Sequence, residues 1–244
     1  IEIDGDGVSI KPDDIKWVIN PYDEFAVEEA LRIREAQGGR VTIVSAGREK
    51  AAEAIRTALA MGADKGVLVV DAALENCDGL GTATVLAKAV KELPHDLIIA
   101  GQRAVDDDNF LVGAAVAEKL GMPLISMVFK EEVKDGHITC HKTVDGGSVV
   151  VEAALPVLFT TQRGLNDPRY ASLPGIMKAK KKPLDTKTLA DLGVDPAEVG
   201  DPKTKVVGLK TPPERTAGRM IEGESPTEKA AALVKALHEE AKVI

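Results

Sequence analysis

Five consecutive residues, Val105, Asp106, Asp107, Asp108 and Asn109, carry the densest chemistry in the chain: three carboxylates and two flanking residues directly before an apolar helical pattern. Capping of a helix N-terminus and its positive dipole end explain such acids in part. A functional reading sets the carboxylates against ribose hydroxyls and the N–H groups of Asn109, Phe110, Leu111 and Val112 against a phosphate. A divalent cation is a third reading, disfavoured because no histidine or further carboxylate is predictably nearby. Ser45, Ala46, Gly47 and Arg48 form another strand-to-helix turn whose N–H groups could meet an anion, although most such turns only redirect the chain. Gly79, Leu80 and Gly81 look like half a dinucleotide fingerprint, but no strand directly precedes them and they read as a loop.

The remaining reactive side chains are scattered. His95, His137, His141 and His238 have no spacing that suggests a triad or ligand set, and Cys77 and Cys140 lie far apart. Neither a disulfide framework nor a zinc site is expected, and a reducing compartment suits such cysteine usage. No acid, base and nucleophile converge in one place. Lys178, Lys180, Lys181 and Lys182 form a charge run, ordinarily a solvated face. Here it follows an apolar-tipped stretch, Tyr170 to Pro174, and the combination reads as a docking element. With 31 Lys+Arg against 39 Asp+Glu the net charge is −8, which opposes a nucleic-acid binder that must neutralise phosphates. No apolar run is long enough to span a bilayer, so direct membrane insertion is not expected.

Positioning those residues falls to an alternation of helices and short β-branched strands. Helices are expected over 23–37, 48–62, 82–93 and 109–120, with strands over 41–45, 66–71 and 97–100 between them. Strands that are apolar on both faces and separated by helices form a parallel sheet covered on both sides, so the fold class is α/β, doubly wound and mainly parallel. Ligands of such sheets bind outside the carboxyl ends of the strands. After Pro123 the period becomes twofold: strands over 124–132, 137–144, 148–154 and 157–161 imply an antiparallel β appendage. Residues 164–183 read as a loop and basic segment, and 184–225 as an extended C-terminal arm without its own core, with a strand candidate at 205–209. A helix over 226–241 closes the chain. The division expected is 1–183 for the α/β domain and 184–244 for the arm and helix.

Five blocks in order resemble the β subunit of electron-transfer flavoprotein. They are Asn20 and Pro21 before Val27 to Ala30; Ile55 to Asp64; Gly101 to Asp108 with Gly113; Val144 to Gly147; and Asn166 to Pro174 running into Lys178 to Lys182. The resemblance implies a Rossmann-like fold of the adenine-nucleotide α-hydrolase kind. It implies a heterodimer whose α subunit carries a redox-active FAD, while this subunit is a non-enzymatic carrier with a structural AMP. By position, AMP would be held by Asn20, Ala46, Ala104, Asp107 and the backbone of Asn109, Phe110, Leu111 and Val112. The loop of Tyr170, Leu173, Pro174, Ile176 and Met177 would dock acyl-CoA dehydrogenase-type donors of fatty acid oxidation. The arm would embrace the α subunit, and a membrane quinone oxidoreductase would accept the electrons. A cytoplasmic place is implied for a bacterium and the mitochondrial matrix for a eukaryote.

Three departures bear on these expectations. The family's first strand would precede Ile1, so residues upstream are expected. Phe110, Leu111 and Val112 stand where many relatives carry polar residues, which leaves backbone but not side-chain phosphate contacts. Bifurcating members, with a second FAD in this subunit, show Asp-Gly-Asp-Thr where this chain has Asp106 to Asn109; the Asp107 carboxylate would repel a longer diphosphate, which favours AMP. A bifurcating subunit and a stand-alone adenine-nucleotide module are the alternatives to the carrier.

Overall fold

Helix α1 (Pro21–Gln37) starts where extended Asn20 meets a proline at the first helical position, with Asp23 and Glu24 in the first turn facing the positive dipole end. The structure, a computed structural model, describes the chain except residues 1, 12–14, 76, 215 and 216. Strand β1 (Thr42–Ala46), a short 3-10 turn and helix α2 (Ala52–Met61) follow, then strand β2 (Lys65–Val69). Helix α3 (Gly79–Lys91) begins earlier than its apolar pattern: the Asp78 carboxylate accepts from the N–H groups of Leu80 and Gly81. The glycine-rich stretch expected as a loop is therefore the first turn of a capped helix.

Strand β3 (Leu97–Gly101) leads to helix α4 (Val112–Leu120), shorter than expected over 109–120. Asp108 and Phe110 sit at φ 55° and 57°, outside helical space, because Asp107 and Asn109 bond their own neighbouring backbone. Strands β4 (Leu124–Lys134), β5 (His137–Val144), β6 (Gly147–Ala154) and β7 (Val157–Thr161) come next, then helix α5 (Leu173–Ala179), strand β8 (Leu184–Lys187) and the short helix α6 (Pro196–Gly200).

Hydrogen bonding runs through two sheets where one continuous layer was expected. One is β1-β2-β8, all parallel; the other is β3-β7-β4-β5-β6. In the second, β3, β7 and β4 pair parallel, while β4-β5 and β5-β6 pair antiparallel. β2 and β7 are almost wholly buried, while β1 and β3, each paired on one edge, are largely half-buried. The core contains Leu31, Ile55 and Leu59 on one side of the β1-β2-β8 sheet, Val69, Val85, Leu189 and Val199 on the other, and Val128, Ile138 and Phe159 in the second sheet.

Chain segments 184–200 correct the expected arm. β8 pairs with β2, and Leu189, Leu192, Val194 and Val199 are buried against α3, so this stretch completes the core. Their apolar residues belong to a strand and two short turns, too brief for a repeating period to show. The compact unit runs Pro12–Val206, and a second unit comprises Ile1–Lys11 with Val207–Ile244. The boundary therefore falls past 183. Within the second unit Ile3 bridges Ile10, the Leu209 N–H donates to the Gly7 carbonyl at 2.9 Å, and helix α7 (Pro226–Ala236) buries none of its residues. No regular strand forms over 205–209, and the expected arm includes residues 215 and 216, which lie outside the described ones.

Candidate functional site

At the carboxyl end of β3 the start of α1 is stapled to the segment that follows the strand. Asn20 Nδ2 donates to Asp23 Oδ2 and to the Arg103 carbonyl, each at 2.8 Å, and its Oδ1 accepts from the Val105 N–H at 3.2 Å. The Gly101 N–H donates to Asp23 Oδ1 at 2.7 Å. A Cβ on Gly101 would lie 2.9 Å from the Asp23 carboxylate carbon, so glycine is what lets strand and helix approach this closely. Burial pushes the Asp23 carboxyl above its ordinary pKa, against the opposing pull of Asn20 and Gly101. Asn20 thus fixes the approach of α1 to the segment after β3, with both Nδ2 hydrogens donated and one hydrogen bond accepted by its Oδ1.

The acidic run is organised around Arg103. Its guanidinium pairs with Asp108 at 2.7 Å, donates to the Tyr22 hydroxyl at 3.0 Å, and lies over the rings of Tyr22 and Phe110 at 5.1 and 4.7 Å. Asp107 accepts from the backbone and side-chain amide of Asn109, and Asn109 Oδ1 accepts from the Leu111 N–H at 3.0 Å. Two of the four N–H groups expected to face a phosphate are therefore used within the turn. Those of Phe110 and Val112 have no such partner among the described residues. Gln102 Oε1 and Arg103 Nε, adjoining Ala104, are also buried without partners. Arg103 and Tyr22 were missed in the sequence because their relation spans 81 positions.

Ala46, at the end of β1, is half-buried and packs on the cluster around Val69. Immediately beyond it a cleft of about 510 Å³ opens at the ends of β1 and β2, with Trp17, Arg48, Lys50, Asp71 and Glu75 in its lining. None of the residues expected to bind AMP lines it.

The second feature is the segment after β7. Tyr170 and Leu173 are 98% and 80% exposed, and Pro174, Ile176 and Met177 are exposed beside them. They do not form a loose loop. Leu173, Pro174, Ile176 and Met177 belong to α5, whose N-terminus is capped by Ser172 accepting from the Gly175 N–H at 3.1 Å. A Cβ on Gly175 would collide with the Ala60 carbonyl oxygen, so α5 rests directly on α2. A groove of about 450 Å³ beside this contact is lined by Ala60, Ala171, Ile176 and Ala179.

The basic run is not uniformly a solvated face. Lys182 turns inward, its Nζ donating to the carbonyls of Leu59, Gly62 and Ala63 at 3.0, 3.1 and 2.6 Å, which closes the C-terminus of α2. Arg56 returns the contact by donating to the carbonyls of Ala179 and Lys182. On the other flank Arg169 grips Glu28 through Nε and Nη2 at 2.8 and 3.0 Å and also pairs with Glu35. Burial raises the Glu28 pKa, but hydrogen bonds from Arg169 and Arg32 outweigh it and hold the carboxyl below its ordinary value.

Parallel strands with helical crossovers, an organised turn at their carboxyl edge and an apolar helix face fixed at the surface define an α/β protein of mainly parallel sheet. The electron transfer flavoprotein domain matches residues 8–192. The electron transfer flavoprotein subunit beta of Bacillus subtilis (strain 168) is 43% identical over 236 residues, covering 96% of this chain and 91% of the relative. That of Bradyrhizobium diazoefficiens is 41% identical over 247 residues, covering 100% and 94%, and that of Bos taurus 40% over 225 residues, covering 91% and 87%. The chain belongs to the electron transfer flavoprotein β-subunit family. Among the described residues no helix is long and apolar enough to cross a membrane.

Proposed function

We propose that the chain serves as the carrier subunit of a heterodimer: it holds a structural AMP, supports the FAD of an α subunit and docks acyl-CoA dehydrogenase-type donors. The observation that carries this reading is the rigidly mounted apolar face of α5, with Tyr170, Leu173 and Met177 exposed above Arg169 and Lys182. Side chains so exposed contribute little to the chain's own core, whereas burial in a partner removes apolar area from water.

The crevice residues suit AMP in part. Two N–H groups, of Phe110 and Val112, and the buried unpartnered Gln102 Oε1 and Arg103 Nε are available to it. Ala46 and Ala104 would border it, while Asn20, Asp107, Asn109 and Leu111 set the shape of the turn. The Asp107 carboxylate, held beside α4 by Asn109, favours one phosphate over a dinucleotide's two. Bound FAD supplies the redox chemistry, and the task of this chain is to place the α subunit and donor within electron-transfer reach. The segment Val207–Ile244, whose helix α7 buries none of its own residues, is the part assigned to the α subunit. A membrane quinone oxidoreductase is the proposed acceptor.

The test uses the purified heterodimer. Acid release should yield one AMP and one FAD per complex, and Leu173→Ala should slow flavin reduction by a donor while the heterodimer stays intact. Two FAD and no AMP would establish a bifurcating subunit instead, and unchanged donor kinetics would remove the docking role.

A further inference from the structure

Where Gly175 brings α5 onto the Ala60 carbonyl of α2, the two helices leave a groove of about 450 Å³ alongside the contact. Small residues make the hollow: Ala60, Ala171 and Ala179 line it, and Ile176 is the one large apolar side chain among its lining. The long basic side chains at its base are committed elsewhere. Arg56 donates to the carbonyls of Ala179 and Lys182 at 2.7 and 2.8 Å, and Lys182 Nζ is held by three carbonyls at the end of α2. The groove is therefore preorganised, since an occupant need not displace either cation.

Two features state what kind of surface fits it. The first is continuity. Ile176 lines the groove and is 43% exposed, and it lies one helical turn from Leu173, so the protruding apolar face of Leu173 and Met177 runs directly into the hollow. The second is charge. Lys178, Lys180 and Lys181 are exposed on the same segment, and among the described residues none of them forms an ion pair. Nearby carboxylates are taken by other cations, Asp64 by Arg34 and both Glu28 and Glu35 by Arg169, while Glu53, one turn before Thr57, stays outside the lining. A cationic patch in a chain of net charge −8 selects an acidic partner, and an apolar centre beside charged residues is the layout of a protein interface. Anionic lipid would satisfy the lysines and the protruding face, but a membrane surface has no knob with which to fill a concave groove.

We infer that docking is reciprocal: the donor covers Leu173 and Met177, and the groove between α2 and α5 receives an apolar side chain of the donor, flanked there by carboxylates that face Lys178, Lys180 and Lys181. This rests on the docking reading proposed above and adds to it a second anchor, one that the partner supplies. Anchors on one side of an interface pair with pockets on the other, and a filled groove excludes the water that would screen the lysine–carboxylate attraction.

The test uses the purified heterodimer and an acyl-CoA dehydrogenase donor, with flavin reduction followed at increasing heterodimer concentration. Thr57→Phe fills the groove from an exposed position of α2. With wild-type flavin content and Tm as the folding control, it should raise the KM for the heterodimer about tenfold. Lys180→Glu should raise it too and flatten its dependence on salt. Carbene footprinting of the wild-type complex needs no variant: the donor should shield Thr57 and Ile176 together with Leu173. If Leu173→Ala raises KM while Thr57→Phe does not, or if shielding stops at Leu173, the donor docks on the protruding face alone and the groove inference is overturned. If Leu173→Ala has no effect, the docking reading falls and takes this inference with it. Cosedimentation of the heterodimer with phosphatidylglycerol vesicles, lost in Lys180→Glu, would assign the face to a membrane and overturn it as well.

Discussion

Replacing Arg169 by methionine tests whether the mount of the docking helix is electrostatic. The Glu28 side chain is only 3% exposed, and it accepts from Arg169 Nε, Nη2 and backbone N–H and from Arg32 Nε. Removing one partner of a buried pair costs about 3–5 kcal/mol, mainly because a charge is left without its counter-charge. Two facts reduce that figure here: Arg32 remains, and the Arg169 side chain is itself 34% exposed, so solvent already screens part of the attraction. The expected loss is about 2–3 kcal/mol, or a fall in Tm of roughly 5–10 °C for a body of this size. Urea unfolding of wild type, Arg169→Met, Glu28→Gln and the double variant isolates the pair, with a coupling of at least about 1 kcal/mol expected. The Glu28 carboxyl is held below its ordinary 4.5, so the stabilisation is full above that value and is lost as pH falls through the folded-state pKa. The gap between wild type and Arg169→Met should therefore close in acid. An Arg169→Met loss below about 0.5 kcal/mol, or strict additivity in the double variant, would show that packing alone mounts the segment.

Lys182→Met should cost about 2 kcal/mol, since three carbonyls at the end of α2 lose a charged donor while desolvation, which lowers the Lys182 pKa, already offsets part of that gain. Lys181→Met, on an exposed residue, is the comparison in the same denaturation series, and equal losses in the two would refute an inward role for Lys182. Asp78→Ala removes the cap of α3 and the acceptor for the Lys203 and Thr204 N–H groups, with an expected loss of about 1–2 kcal/mol. Hydrogen bonds from Gly81 foremost lower the Asp78 pKa below 3.8, so this contribution is present above that value and should vanish on further acidification; a pH-independent difference would count against it.

The order of helices and strands through residue 161 was legible because each element is long enough to display its period and is punctuated by Gly or Pro. Boundaries moved where a side chain overrode the apolar pattern: Asp78 drew α3 forward, while Asp107 and Asn109 held α4 back to Val112. The stretch from 184 to 200 escaped because a strand and turns of three to five residues are too short to show a repeat; only their burial against β2 and α3 reveals them as core.

The candidate site divides along the same line. Local chemistry alone marked the acidic turn before α4 and the apolar residues around Leu173, since both are runs of neighbours in the chain. Only the tertiary structure decided that Asn20 is a staple, that Arg103 lies over Tyr22 and Phe110, that Lys182 faces inward, and that Glu29 meets Asn166. Such pairings join residues up to 137 positions apart, and a side chain's type states what it can bond, whereas the packing of elements dictates which partner comes within reach and whether water is left to compete.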